Sequence, residues 1–534
     1  MNRKKFLKNL AGGVLLPSVL NGFSVRAFAE NPLPDGLESI ATSNTDHILV
    51  LIQLGGGNDG LNTLVPLDQY AALSVVRPEV ILPQNSILPL SGITNAGLHP
   101  AMTGFRNLYN DGKLLAVQGV SYPNPNLSHF RATDIVMSAS DSNSVVTSGW
   151  VGRYLAQEYP NYPTGFPNTT MPDPLAVEIG SSASLTQQGP VLPMGMVIGD
   201  PDNFYNWTTA VQPTPPNTFA GQKLQFVRTI SSLSRTYGGA ITTAFDAGTT
   251  NVAANYPANS DLAERLKGVA KLISGGLKSR IYIVTQTGYD THSNQVEASD
   301  HTIGKHANLL KDLSDSVEAF MRDINAQGFG DRVVGMTVSE FGRRIIANAS
   351  GGTDHGTAAP MFLFGNKVES GIVGSNPVIS PNANWSDNIP MQHDFRAVFS
   401  SVLRQWFCLS NADAANVMLG SFPNIPVIKT TAQCITVATH DANQTAGKRL
   451  LSVAPNPMTQ YTRLKFEVTD AQAPTLLQVF ATDGRLVDTI IDKRLDLGEQ
   501  EMTWSASHLA AGNYYIQIRN GAAQQAKQVA VIND

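Results

Sequence analysis

Cysteine is almost absent from this chain: Cys408 and Cys434 are the only two among 534 residues. That excludes a small scaffold stapled by disulfides, and any metal must be held by imidazole and carboxylate rather than thiolate. Charge is also sparse, at 15% of residues with a net charge of −5. With no basic stripe interleaved with aromatics, nothing points to nucleic acid as a partner. No run of about 20 apolar residues occurs, so no transmembrane segment is expected. Disorder is excluded too, because 42% of the residues are hydrophobic. The length exceeds what one core supports and suggests two or three domains.

What is present begins with an export pattern. "MNRKKFLKNL" is a basic stretch, "AGGVLLPSVL" a short apolar one, and "RAFAE" offers small residues for cleavage after Ala29. Residues 1–29 therefore read as a signal peptide. Arg3-Lys4-Lys5-Phe6-Leu7-Lys8 resembles a twin-arginine signal with Lys4 in place of the second arginine, which leaves the Sec and twin-arginine routes both open. In an exported chain, a Cys408–Cys434 disulfide and two separate buried thiols are equally consistent with the sequence. Residues 30–46 read as a linker.

From 47 to about 430 the chain reads as an α/β domain. Three apolar runs end in polar clusters: "HILVLIQL" in "GGGNDG", "RIYIVTQT" in "GYDTHSNQ", and "RVVGMTV" in "SEFGRR". Short continuous apolar runs of this kind suit strands buried on both faces. Between the last two, Leu309, Leu310, Leu313, Val317, Phe320, Met321 and Ile324 recur at helical spacing before Gly328. This is a βαβ unit, so its strands should be parallel. "DLAERLKGVAKLI" repeats the helix-then-strand order. The fold class that follows is a mainly parallel sheet sandwiched by helices. The stretch from about 160 to 216, rich in Pro, Thr, Asn and Gly, reads as long loops.

In open α/β sheets ligands bind beyond the carboxyl ends of the strands. Each apolar run delivers an acid there: Asp59, then Asp290 with His292, then Glu340. Asp354-His355 follows within a loop's reach of Glu340. Carboxylates with imidazoles suit a divalent ion such as zinc, manganese, magnesium or calcium. "GGGNDG" also matches G-x-G-x-x-G, but Pro66 follows too early for the helix that a dinucleotide site needs. "LSHFRATD" places Ser128 beside His129 and Arg131; the alternative reading is a helix-capping serine with a hydrogen-bonded histidine. Arg343 and Arg344 either hold an anionic group or are solvated. His306 and His99 read as packing and turn residues.

After a second linker, 431–448, the character changes. Residues 449–534 hold short β-rich runs separated by Pro-Asn-Pro, Asp-Gly and Asn-Gly turns, a small all-β sandwich. "SVAPNP", "VFATDGRLV", "HLAAGNYYIQIRNG" and "KQVAVI" in that order resemble the C-terminal sorting domain of type IX secretion. The resemblance implies the type IX machinery as a partner, passage through the outer membrane, and a secreted or cell-surface location. A carbohydrate-binding or adhesive sandwich is the other reading of these strands.

In the larger domain, "LVLIQLGGGNDGLNTLVPL", "LHPAM", "LSHFRATD", "GWVGRYL", "GYDTHSNQ", "SEFGRR", "GTDHG" and "DFRAVFSSVLRQWF" together resemble the DUF1501 family. That family is itself similar to the alkaline phosphatase and sulfatase superfamily. The resemblance implies an alkaline-phosphatase-like fold with Asp59, Asp290, His292, Glu340 and His355 as metal ligands. Ser128 falls where a nucleophile would lie, and Arg131 or Arg343 would stabilise the anion. Two departures stand out: Asp290-x-His292 is shorter than the usual spacing, and Phe341 occupies the place of an expected histidine. The function implied is an exported, metal-dependent hydrolase of phosphate or sulfate esters. The alternative is a non-catalytic surface protein of the same fold that binds glycans or a protein partner.

Overall fold

The run Ile48–Gly55 (β1) has no polar side chain until Gln53, and its residues up to Leu54 are buried. A strand this uniformly apolar must sit inside a sheet covered on both faces, and it does. Val333–Ser339 (β6) and Ile281–Thr287 (β5) pair with β1 in parallel on its two sides, in nearly level register. The full order is β8-β2-β7-β6-β1-β5-β3-β4. Here β2 is Leu114–Ser121, β3 is Ala176–Ile179, β4 is Met196–Ile198, β7 is Ala359–Phe364 and β8 is Gly371–Val373. His393–Asp394 (β9) adds a short pairing to the end of β2. Strand β7 runs against both β6 and β2; the other pairings in this sheet are parallel.

The computed structural model describes residues 45–180, 182–199, 236–251, 254–430 and, with gaps at 469, 482–485 and 521–522, 452–532; before 45 it describes 18–20 and 23–25. Apart from those two short segments the expected signal peptide lies outside the described residues, as do nearly all of the first linker and the whole of the second. The chain divides into two compact units, 1–434 and 435–534.

Helices cover the sheet in two packed groups. Thr103–Asn110 (α1), Asp261–Ser274 (α4) and Lys305–Ala326 (α5) form one; Trp150–Glu158 (α3), Phe395–Gln405 (α6) and Asn411–Met418 (α7) form the other. Helix α5 connects β5 to β6, and those strands are parallel as the periodicity requires. It buries Leu310, Leu313, Val317, Phe320 and Ile324 on one stripe. Helix α4 starts where the Ser260 hydroxyl accepts the Ala263 N–H at 2.9 Å, a cap that contributes about 1 kcal/mol. Leu309, expected on the inner face of α5, is only partly buried.

One expectation needs correcting. The stretch from 160 to 216 is more than loops, because it supplies β3 and β4 to the main sheet. Strands of four and three residues are too short to show a period, and the turns between them dominate the composition. Residues 200–216 lie outside the described residues. Cys408 is disulfide-bonded; the only other cysteine, Cys434, lies outside the described residues.

The second unit is all-β. One antiparallel sheet joins Ser452–Ala454, Tyr461–Val468 and Gly498–Ser505; the other joins Leu486–Lys493, Thr475–Ala481, Gly512–Asn520 and Ala523–Val531. Alternation along Tyr461–Val468 sends Thr462, Leu464, Phe466 and Val468 inward. Leu464, Phe466, Leu477, Val479, Trp504 and Ile516 meet in a single small core.

Candidate metal centre

Parallel β1, β2, β5 and β6 end at one edge of the sheet, and antiparallel β7 begins there. Five chain segments therefore arrive at that edge. After β2 the chain turns into His129–Ser138 (α2), with Ser128 at the N-cap and His129 as the first helical residue. After β5 come Asp290 and His292, and after β6 comes Glu340. The segment ahead of β7 carries Asp354 and His355.

The protons on the histidines follow from their partners. The Nδ1 of His355 lies 2.8 Å from the Leu127 carbonyl, and a carbonyl can only accept, so Nδ1 carries the proton. The Nδ1 of His292 lies 2.8 Å from Asp354 Oδ1, and that of His129 lies 2.8 Å from Glu340 Oε1. Both face carboxylates and are protonated by the same reasoning. In the neutral imidazoles every Nε2 is then a bare lone pair.

Those lone pairs converge on Asp290. His292 Nε2 is 3.2 Å and His355 Nε2 3.4 Å from Asp290 Oδ1, while His129 Nε2 is 3.5 Å from Oδ2. The two nitrogens of His292 and His355 lie only 2.9 Å apart. Two lone pairs and a carboxylate at such range repel one another unless a cation, whether a proton or a metal ion, lies among them. One donor atom each from His129, Asp290 and His355 falls within a 4.8 Å span. The outer acceptors on Nδ1 are the supports that metal-binding histidines use.

The charge states suit the same role. Burial opposes ionisation of Asp290, but the Arg343 hydrogen bond and charge outweigh it, with His292 and His129 adding to them, and hold the carboxyl below its ordinary range. Burial pushes His355 down, against the Leu127 bond that raises it, which keeps its lone pair available.

Local sequence explains how the loops meet. Gly56 takes a φ of +125°, and a Cβ there would lie 2.2 Å from the Asp290 backbone nitrogen. Only glycine lets the β1 loop approach the Asp290 loop so closely. The segment from 342 to 357 doubles back: Gly342 N–H donates to Thr357, Arg344 N–H to Asp354, and Gly356 N–H to Gly342. Asn348 pins the turn, its side-chain nitrogen reaching the His292 carbonyl at 2.9 Å and Asp354 Oδ1 at 3.1 Å. Phe341 packs against both the His129 and His355 rings, at centroid distances of 4.9 and 4.7 Å, and those two rings meet edge-on at 4.4 Å.

The metal ligands expected from sequence are thus placed in three ways. Asp290, His292 and His355 come together. Glu340 sits behind His129 and also accepts the Gly56 N–H at 2.8 Å. Asp59 lies apart: it is buried and ion-paired with Arg77, and Gln295 donates to it at 2.6 Å. Arg343 is completely buried, its guanidinium held by the carbonyls of Gly56, Gly57, Tyr289 and Thr353 and by Asp290. Arg131 points to the carbonyls of Asp141, Ser142 and Ser144. Ser128 is exposed at its cap position. Sequence reasoning missed His129 as a donor to the cluster. The available signal is a histidine following the exit of another sheet strand; beside the capping Ser128 the sequence reads it as a hydrogen-bonded histidine.

Residues 245–412 match the family described as "Protein of unknown function (DUF1501)". Residues 452–532 match the "Secretion system C-terminal sorting domain". No curated protein matches the chain. Among solved structures, the chain is similar to one described under metabolism of multiple glycosaminoglycans by Bacteroides thetaiotaomicron, at 9% identity and a TM-score of 0.30, covering 91% of this chain and 89% of that one. A 2-O GAG sulfatase matches at 8% identity and a TM-score of 0.26, covering 90% and 84%. A phosphonate monoester hydrolase from Silicibacter pomeroyi matches at 8% and 0.26, covering 90% and 88%. Among the described residues no helix is long and apolar enough to cross a membrane. The two matches place a DUF1501 segment at residues 245–412 and a type IX secretion sorting domain at 452–532, and the sorting domain indicates export to the cell surface or beyond.

Proposed function

We propose that the first unit is an exported metal-dependent hydrolase of phosphate or sulfate esters, with its ion held by His129, Asp290, His292 and His355. The observation that carries this reading is the convergence of three bare imidazole nitrogens on one ionised carboxylate. Such a donor set suits zinc, or manganese and its neighbours, better than magnesium or calcium, which prefer oxygen. When bound there, the ion would polarise the ester and lower the pKa of a coordinated water.

The chain's own residues have separable tasks in this reading. Glu340, Asp354 and the Leu127 carbonyl fix the imidazole tautomers and ring directions. Arg343 orients Asp290 and keeps it ionised. Phe341, 3% exposed, walls one side of the cluster and keeps solvent from the rings.

The test is elemental analysis of the purified protein together with hydrolysis of 4-nitrophenyl phosphate and 4-nitrophenyl sulfate. About one ion per chain is expected, with both metal and hydrolysis lost in His292→Ala and Asp290→Asn. Full metal content in both variants, or a metal-free and inactive wild type, overturns the reading. Stoichiometric metal without turnover of either ester selects the alternative, a binding protein of the same fold.

A further inference from the structure

Among the described tryptophans, Trp150, Trp406 and Trp504 are buried, while Trp385 is 73% exposed. Among the described residues of the first unit the other strongly exposed aromatic side chain is Phe130, at 88%. Both belong to the neighbourhood of the histidine cluster. Phe130 directly follows His129 in the first turn of α2. Trp385 is joined to His355 by a single guanidinium: Arg344 Nε donates to the His355 carbonyl at 3.1 Å, and its Nη1 donates to the Trp385 carbonyl. The same guanidinium lies 5.3 Å from the Trp385 ring centroid. The loop that carries Trp385 is held in place, with Asn384 N–H on Asp387 at 2.9 Å and the Thr357 hydroxyl on the Ile389 carbonyl.

Exposed indole and phenyl faces cost free energy in water unless a ligand covers them. Phe130 adjoins His129 in the chain and Trp385 is tied through Arg344 to the His355 backbone, so a ligand covering both faces would extend beyond the ester group itself. A chain of sugar rings would cover both, stacking its C–H faces on Phe130 and Trp385. Arg344 beside the indole supplies a cation for an anionic substituent. Asn382, Asn384, Ser386 and Asn388 around Trp385 supply hydrogen-bonding partners for hydroxyls. We infer that the substrate class of this site is an anionic oligosaccharide, gripped by Phe130 and Trp385 as stacking platforms. The inference rests on the hydrolase reading for the identity of the anionic group, but not for the stacking.

The test uses the full chain and a size-defined chondroitin sulfate tetrasaccharide as the probe, with binding measured by calorimetry for wild type, Phe130→Ala and Trp385→Ala. Each substitution should weaken binding roughly tenfold, with metal content and 4-nitrophenyl sulfate hydrolysis unchanged. Unchanged tetrasaccharide affinity in both variants overturns the inference, as does a wild type that fails to bind the probe at millimolar concentration. Equal losses toward 4-nitrophenyl sulfate overturn it as well, because the platform would then serve an aryl group. His292→Ala separates the two proposals: tetrasaccharide binding that still depends on Trp385 in the metal-free variant leaves the platform standing even where the hydrolase reading fails.

Discussion

Two clusters of the same residue types lie near the same sheet edge, and their groups face opposite kinds of partner. In the outer cluster His129, His292 and His355 turn bare nitrogens toward a half-exposed Asp290. In the inner one Asp59, Arg77, His99 and His306 are each about 1% exposed or less. Burial opposes ionisation of Asp59, yet the Arg77 charge, with His306 and Gln295, outweighs it and holds the carboxyl down. Burial likewise drives His306 to about 4 and His99 to about 3, so both stay neutral. His306 Nε2 meets the Asn58 side-chain oxygen at 2.9 Å and so carries a proton. In the proposed assignment, an acid already neutralised by an arginine, beside histidines that do not converge, holds structure rather than a metal. The difference lies in partners, not in residue identity.

The inner cluster instead supports the outer one. Gln295 donates to Asp59 and accepts from the hydroxyls of Thr291 at 3.1 Å and Thr353 at 2.7 Å. Those threonines precede His292 and Asp354 in sequence. Asp59 thus reaches the site through a glutamine and two backbone turns.

The largest expected effect breaks the comparison along this line. Asp59→Ala leaves the Arg77 guanidinium buried without its counter-charge and should cost about 3–5 kcal/mol of stability. His292→Ala removes a half-exposed ring and should cost under about 1 kcal/mol, yet weaken metal binding by at least about a hundredfold. Denaturant melts and metal titration of both variants check the crossing. If His292→Ala unfolds the protein while Asp59→Ala leaves stability untouched, the assignment of roles is reversed.

A smaller effect sharpens the outer cluster. Asp354→Asn and Glu340→Gln keep the shape of the acceptors behind His292 and His129 but remove their charge. Each should weaken metal binding about 10–100-fold, less than loss of a ligand, with little change in melting. Affinities equal to wild type would show that the Nδ1 partners do not tune the site.

Much of this was legible beforehand. Buried strands ending in polar clusters gave the sheet and placed Asp290, His292 and His355 at one edge, because apolar period and strand-end position are local properties of a sequence. Asp59 carried the same signature after β1. What separates it is the one-turn helix Gly60–Thr63 that follows and the Arg77 side chain 18 residues on, and neither has a pattern that sequence exposes. Glu340 was legible as a strand-end acid, but its contact with His129 spans 211 residues. His129 is hidden because a histidine beside a helix-capping serine is already explained by a local hydrogen bond. Strands β3 and β4 were missed for want of length.

Glu178 on β3 supplies the case that neither cluster contains, a buried acid with no cation. It is 4% exposed, and its Oε2 accepts from Ser184 N–H at 2.9 Å, the Ser184 hydroxyl at 3.0 Å and Gln187 Nε2 at 2.9 Å. Among the described residues no lysine, arginine or histidine is ion-paired with it. Burial outweighs these neutral donors and raises its pKa to about 7 from an ordinary 4.5. Between those two values the folded chain binds more protons than the unfolded one. Stability from this group is therefore full below pH 4.5, falls as pH rises toward 7, and is flat above. Glu178→Gln removes the titration, so its melting temperature should fall less than that of the wild type between pH 5 and pH 8. The difference between the two profiles should be on the order of 2 °C in this large unit. Parallel profiles would mean that Glu178 is ionised in the fold without a cation, and that Asp59 does not need Arg77 for the same purpose.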